Sequence, residues 1–162
     1  DEDAFLAKDF IWLFEKIKSA GLPITIHAGE CPSDQACQNM QDAVTSLGAT
    51  RIGHGVQVFR KAHILEQIRD QKIVLELCVT SNWLTNAVKS IQAHPIRELL
   101  HSGLQVCINS DDPGVFGITL GDEYELLHKT LGFTKADFDR CNQIAFNASF
   151  NPLDQKHKVW PG

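Results

Sequence analysis

Apolar positions along the chain follow two alternating rhythms. Leu6, Phe10, Leu13, Phe14 and Ile17 recur at helical spacing and stop before Gly21, a natural helix terminator. Pro23 then introduces Ile24-Thr25-Ile26, a β-branched run that breaks off at His27-Ala28-Gly29-Glu30. The beat repeats. A mixed stretch at 34–47 predicts a helix closed by Gly48, and RIGHG at 51–55 reads as a short strand ending in His54. Ala62, Leu65 and Ile68 mark a helix over 60–71, before IVLELCVTSN at 73–82, a near-continuous apolar strand. A helical region at 84–101, with a break expected at His94-Pro95, ends at Gly103. LQVCINSDDPG at 104–114 is a fourth apolar strand with a polar end. Two further helices are announced by capping signatures, Thr119 with Asp122 and Thr134 with Asp137. Trp12 and the Phe residues around it read as core.

Strand starts near 24, 51, 74 and 105 are spaced as strand-helix units, so the pattern predicts a parallel sheet covered by helices. No linker, low-complexity segment or charge run divides the chain, and 1–162 is expected to belong to one α/β domain. A net charge of −5 offers no electrostatic footprint for nucleic acid or an anionic membrane. No apolar run approaches the roughly 20 residues of a membrane span. The five cysteines form no CxxC pair and leave one over, which fits a reducing, cytoplasmic setting better than a disulfide framework. The opening DEDAFLAKDF has neither the basic start nor the apolar core of a signal peptide, and without an initiator Met the natural start is expected elsewhere.

In a parallel sheet the carboxyl ends of the strands lie on one side. His27 with Glu30, His54, the 78–82 segment, and Asp111 with Asp112 therefore converge. Each has a plain structural reading by itself: a hydrogen-bonded histidine, or an Asp leaving a strand to cap the next turn. Together, two imidazoles and three carboxylates at one sheet edge make a site competent for metal-assisted acid-base chemistry. Gly53 and Gly55 let a backbone or ligand approach His54 closely. His63, His101, His128 and His157 lack this setting and read as solvated, while His94 reads as a local turn feature.

With HAGE at 27–30, IGHG at 52–55, CVTSN at 78–82 and NSDDP at 109–113, the chain resembles the adenosine deaminase family over nearly its whole length. The resemblance implies a metal-dependent (β/α)8 barrel of TIM type, of which this chain carries about the last four β/α units. It implies zinc as cofactor, although imidazole and carboxylate ligands suit several divalent ions. It implies hydrolytic deamination of adenosine and deoxyadenosine to inosine and ammonia. On that pattern His27 and Asp111 are metal ligands, and Glu30 is the general acid toward purine N1. His54 deprotonates or orients the attacking water. Asp112 hydrogen-bonds purine N7, Gly29 brings backbone close to the base, and Ser81 supports the metal ligands.

The family's HxH motif is absent from these 162 residues, and Val79 stands where relatives often carry Pro. Asp1-Glu2 resembles the end of a glycine-aspartate-glutamate motif that closes the fourth strand. The expected partners are thus a purine nucleoside and the amino-terminal half of the barrel, without which the segment is expected to be inactive and to bind zinc weakly. A homodimer would cover the open edges without supplying HxH. The alternatives are an adenine or AMP deaminase of the same superfamily, a non-catalytic barrel remnant acting as a binding protein, and an unrelated metallohydrolase.

Overall fold

The computed structural model describes residues 2–159; Asp1, one half of the opening acidic pair, lies outside the described residues. Four short strands, β1 (Thr25–Ala28), β2 (Arg51–His54), β3 (Val74–Leu77) and β4 (Gln105–Ile108), form one sheet in the order β1-β2-β3-β4. All three pairings are parallel, with Ile26, Ile52, Leu75 and Val106 in one register row. Helices precede and connect them: α1 (Ile11–Ser19), α2 (Asp34–Thr45), α3 (Ala62–Asp70), α4 (Val79–Leu84) and α5 (Ile96–His101). Four more follow β4: α6 (Pro113–Phe116), α7 (Leu120–Leu131), α8 (Lys135–Ala148) and α9 (Leu153–Val159). No described helix is long and apolar enough to cross a membrane.

Sequential strand order and consistent crossovers make this a curved section of a strand-helix barrel. One face is apolar. Ile52, Leu75 and Val106 are fully buried and join Ile64, Ile68, Ile96 and Leu100 in the main core, while Ile26 packs with Ala43 and Leu47. The opposite face is polar, as the alternation along β1 requires: Thr25 and His27 are exposed, Ile26 and Ala28 buried. On that face Arg51 Nε donates to Glu76 Oε1 (2.6 Å) and Thr25 Oγ1 to Glu76 Oε2 (3.0 Å). The Phe150 ring lies 4.1 Å from the Arg51 guanidinium, and the carbonyl of Ala148, at the end of α8, accepts from Arg51 Nη1.

Much of the helical beat is as the spacing predicts, but within the region read as helical at 84–101 the stretch 85–89 is turn and bend. Both capping boxes are present, at Thr119–Asp122 and Thr134–Asp137, and the break at His94-Pro95 separates a 3-10 turn (Ile91–Ala93) from α5. His101 and His128 are exposed, as read, with His101 paired to Asp137 (2.7 Å) and His128 Nδ1 meeting the Phe133 carbonyl (2.9 Å). Two further expectations fail. Trp12 is 55% exposed, because α1 lies at the margin and buries no residue fully.

The second of these failures is the 73–82 segment. Strand β3 ends at Leu77, and α4 begins at Val79. The cause is a buried carboxylate from α7. Glu123, with no exposed surface, accepts from the backbone N–H of Val79 (3.1 Å) and Thr80 (3.2 Å). A helix start exposes such orphan donors, and its dipole favours an anion there. A proline at position 79 would lack the N–H that makes the first of these bonds. Glu123→Ala should destabilise the fold by roughly 2–4 kcal/mol, since one buried and one partly buried N–H group lose their acceptor. Urea midpoints of parent and variant would measure it; a loss below about 0.5 kcal/mol would remove Glu123 as the cause of the early helix.

Candidate functional site

At the carboxyl end of β1 the chain turns sharply through Gly29, whose φ is +77°. The backbone N–H groups of Gly29 and Glu30 donate to the Glu2 carboxylate at 2.8 Å, and that of Cys31 donates to the same group. Glu2 is itself buried, and its carbonyl accepts from Asn39 Nδ2 (2.7 Å). A Cβ at position 29 would collide with the Met40 side chain and come within 3.0 Å of Gly55 Cα. The Gly29 carbonyl meanwhile accepts from Gln57 N (3.0 Å). Both polar groups of Gly29 are thus committed within the chain, and the space its missing Cβ leaves is filled by Met40. The Cys31 thiol is pushed up to about 11 by burial, then by the nearby Glu2, Asp3 and Glu30 charges.

His54 ends β2 in the left-handed region (φ +67°), and Asp111 follows β4 in the same conformation (φ +58°). Non-glycine residues seldom adopt it, and such strain collects at functional sites. The turn aims His54 inward: it is 4% exposed, with its ring centroid 4.6 Å from that of half-exposed His27, edge to face. Glu30 lies between them, Oε2 at 3.9 Å from His27 Nε2 and Oε1 at 3.8 Å from His54 Nδ1. On the other side His54 Nε2 is 4.0 Å from Asp111 Oδ2, which accepts from Ser81 Oγ (2.7 Å). Burial pulls His54 below the ordinary imidazole range, with the Glu30 charge pulling the other way. Asp112 is exposed at the start of α6 and makes no capping bond.

The structure therefore brings His27, Glu30, His54, Asp111 and Ser81 together, with Gly29 beneath them and Asp112 at the rim. Side chains that no sequence reading singled out also converge. Asn82 Nδ2 lies 3.1 Å from Glu30 Oε1 and 3.0 Å from His54 Nδ1, and Thr85 Oγ1 is 2.8 Å from Glu30 Oε1. His94, read as a turn feature, is 4% exposed and reaches Asn82 Oδ1 from Nε2 (3.2 Å). The only forewarning of these was Asn82 itself, the last residue of CVTSN.

One donor atom each from His27, Glu30 and His54 lies within 4.8 Å of the others. With Asp111 alongside, this is a nitrogen and oxygen set that suits zinc and similar divalent ions. His27 and Glu30 open onto a hollow of about 470 Å³ walled by Phe5, Ala7 and Phe10, within the size range of small-molecule sites. The arrangement can hold a cation and deliver a proton to a ligand in that hollow.

Known proteins carry the same arrangement of sequence and fold. An adenosine deaminase of Plasmodium falciparum (isolate 3D7) is 40% identical over 152 residues, 94% of this chain and 41% of that protein. The chain thus spans less than half the length of the curated relatives it matches. The crystal structure of an adenine deaminase from Arthrobacter aurescens superposes with a TM-score of 0.91 at 29% identity, covering 98% of this chain and 48% of that one. An amidohydrolase from Burkholderia ambifaria, solved with bound Zn, shares the fold (TM-score 0.85, 22% identity, 99% and 44% coverage). The sheet is accordingly half of a TIM-type barrel. The family model described as adenosine deaminase matches residues 1–161, and the chain belongs to the adenosine deaminase family.

Proposed function

We propose that this segment supplies the carboxyl half of a zinc-dependent deaminase that converts adenosine and deoxyadenosine to inosine and ammonia. The observation that carries the reading is Glu30, a carboxyl group within 4 Å of both imidazoles and facing the hollow. His27 and Asp111 hold the metal, with Ser81 fixing the Asp111 carboxylate. When bound, zinc makes a water molecule acidic enough to act as nucleophile near neutral pH. Glu30 donates its proton to purine N1, relieving the charge that builds on the ring as water oxygen bonds to C6. His54 orients that water. One proton of that water leaves with the exocyclic amine as ammonia as the C6–N bond breaks, the other returns to Glu30, and the C6–O bond remains. Asp112 is a hydrogen-bond partner for purine N7 at the rim, and the Gly29 backbone comes close to the base.

His27 and Asp111 are two protein ligands, whereas catalytic zinc ordinarily takes about three. The amino-terminal half of the barrel is the partner that completes the set, and the segment by itself is inactive. Five free thiols fit a reducing, cytoplasmic setting. The test is to mix this chain with an amino-terminal half bearing HxH, following zinc content and adenosine loss together. Zinc and turnover should appear only in the mixture; stoichiometric zinc and deamination by the chain alone would overturn the two-ligand account. The similarity to an adenine deaminase favours one second reading, adenine as substrate. Parallel turnover of adenosine, adenine and AMP by the complete protein separates the candidates.

A further inference from the structure

His94 and Asn82 are both buried, and the chemistry above uses neither. Their hydrogens follow from one backbone amide. Ile96 N–H can only donate, and it donates to His94 Nδ1 (3.1 Å). Burial holds the ring neutral, lowering its pKa to about 3, so its single hydrogen is on Nε2. That N–H points to Asn82 Oδ1 at 3.2 Å and fixes which way the amide faces. Asn82 Nδ2 then presents two hydrogens, one toward Glu30 Oε1 (3.1 Å) and one toward His54 Nδ1 (3.0 Å). His54 Nδ1 must accept, which leaves the ring hydrogen on Nε2, the nitrogen facing Asp111. On Glu30, Oε1 becomes the accepting oxygen and Oε2 the one free to carry a proton. The Thr85 hydroxyl, 2.8 Å from Oε1 and 2.9 Å from the Ser81 carbonyl, shares one hydrogen between them.

We propose that Asn82, anchored by His94, is a positioning residue that sets the tautomer of His54 and orients the Glu30 carboxyl group. The chain of donors runs Ile96, His94, Asn82, and then forks to the two reacting side chains. A carboxamide suits the fork because only its nitrogen carries two hydrogens at a fixed angle. Asp at this position would bring a second acceptor against Glu30 and His54, and Ala would leave both unguided. The effect on turnover rests on the deaminase reading; the tautomers rest on the hydrogen bonds alone.

Long-range ¹H–¹⁵N spectra of the complete, zinc-loaded enzyme, labelled at histidine, test the assignment. His54 and His94 should each carry the ring hydrogen on Nε2, with Nδ1 bare. In His94→Phe the His54 signals should shift toward a tautomer mixture. Its kcat should fall about 10- to 100-fold, as losses of supporting hydrogen bonds around metal sites commonly do, with KM within about two-fold. His94→Gln, whose amide nitrogen can reach Asn82 Oδ1, should recover most of the rate. A wild-type His54 protonated on Nδ1 overturns the proposal, as does a folded His94→Phe with parental kcat and unchanged His54 signals. If His94→Phe does not fold, Asn82→Ala is read by the same criteria. An enzyme showing Nε2 tautomers but no adenosine turnover would overturn the deaminase reading, and the spectra of the variants would then decide the proposal.

Discussion

Glu30→Gln should cut adenosine turnover by the complete barrel about 10²- to 10⁴-fold, the usual worth of a positioned general acid. Gln keeps the size of the side chain and, through Oε1, the bonds from Asn82 and Thr85. It places an NH₂ where Oε2 stands, a donor that cannot release a proton to N1. Substrate affinity should therefore change little, and zinc content not at all. Steady-state kinetics and metal analysis of the purified variant measure both. Turnover within ten-fold of the parent would remove Glu30 as the acid. Loss of zinc together with activity would make Glu30 a metal ligand, a role its distance of 3.9 Å from His27 Nε2 also permits.

The second large effect is acid sensitivity centred on His94. In the unfolded chain its imidazole takes a proton near pH 6.5; in the fold, burial keeps it neutral down to about pH 3. Between those values the unfolded chain binds one proton more, so stability present above pH 6.5 is lost as the pH falls. The slope is at most about 1.4 kcal/mol per pH unit, several kcal/mol by pH 4. Urea midpoints of the assembled barrel at pH 7.5, 6, 5 and 4 should decline steadily. His94→Phe should remove a large part of the decline while being less stable at pH 7.5, because Asn82 Oδ1 loses its donor. Equal slopes in parent and variant would refute the assignment to His94.

What could be read from the sequence was whatever depends on neighbours in the chain. The β-branched run before His27, the glycines around His54 and the two capping boxes are local signals, and the structure has a strand, a strand end and two helix starts at those places. Convergence of His27, Glu30, His54 and Asp111 followed from parallel topology, because one direction for all strands puts their ends together. What escaped were side chains whose partners are remote. Glu123 lies 44 residues beyond the Val79 amide it accepts from, and no local pattern announces that a continuous apolar run will turn helical after Leu77. His94 looked like a turn residue because His-Pro is a turn signature; its burial depends on packing that no periodicity records. Glu2 was legible as a motif fragment, yet the three amides it receives are set by the fold of a loop beginning 27 residues away. Trp12 failed in the opposite direction, since an amphipathic pattern does not reveal whether anything stands opposite the apolar stripe.

The Glu2 carboxylate beneath the β1 loop has an effect beyond geometry. Cys31 sits against it, and a thiol held near 11 is ionised in only about one molecule in 10⁴ at neutral pH, against a few per cent for an ordinary cysteine. Peroxides and alkylating agents attack the thiolate, so the thiol one residue from Glu30 is sheltered from oxidative damage without being sealed from solvent. Burial, reinforced by the negative charge of a neighbouring carboxylate, thus keeps a thiol at the mouth of the site protonated.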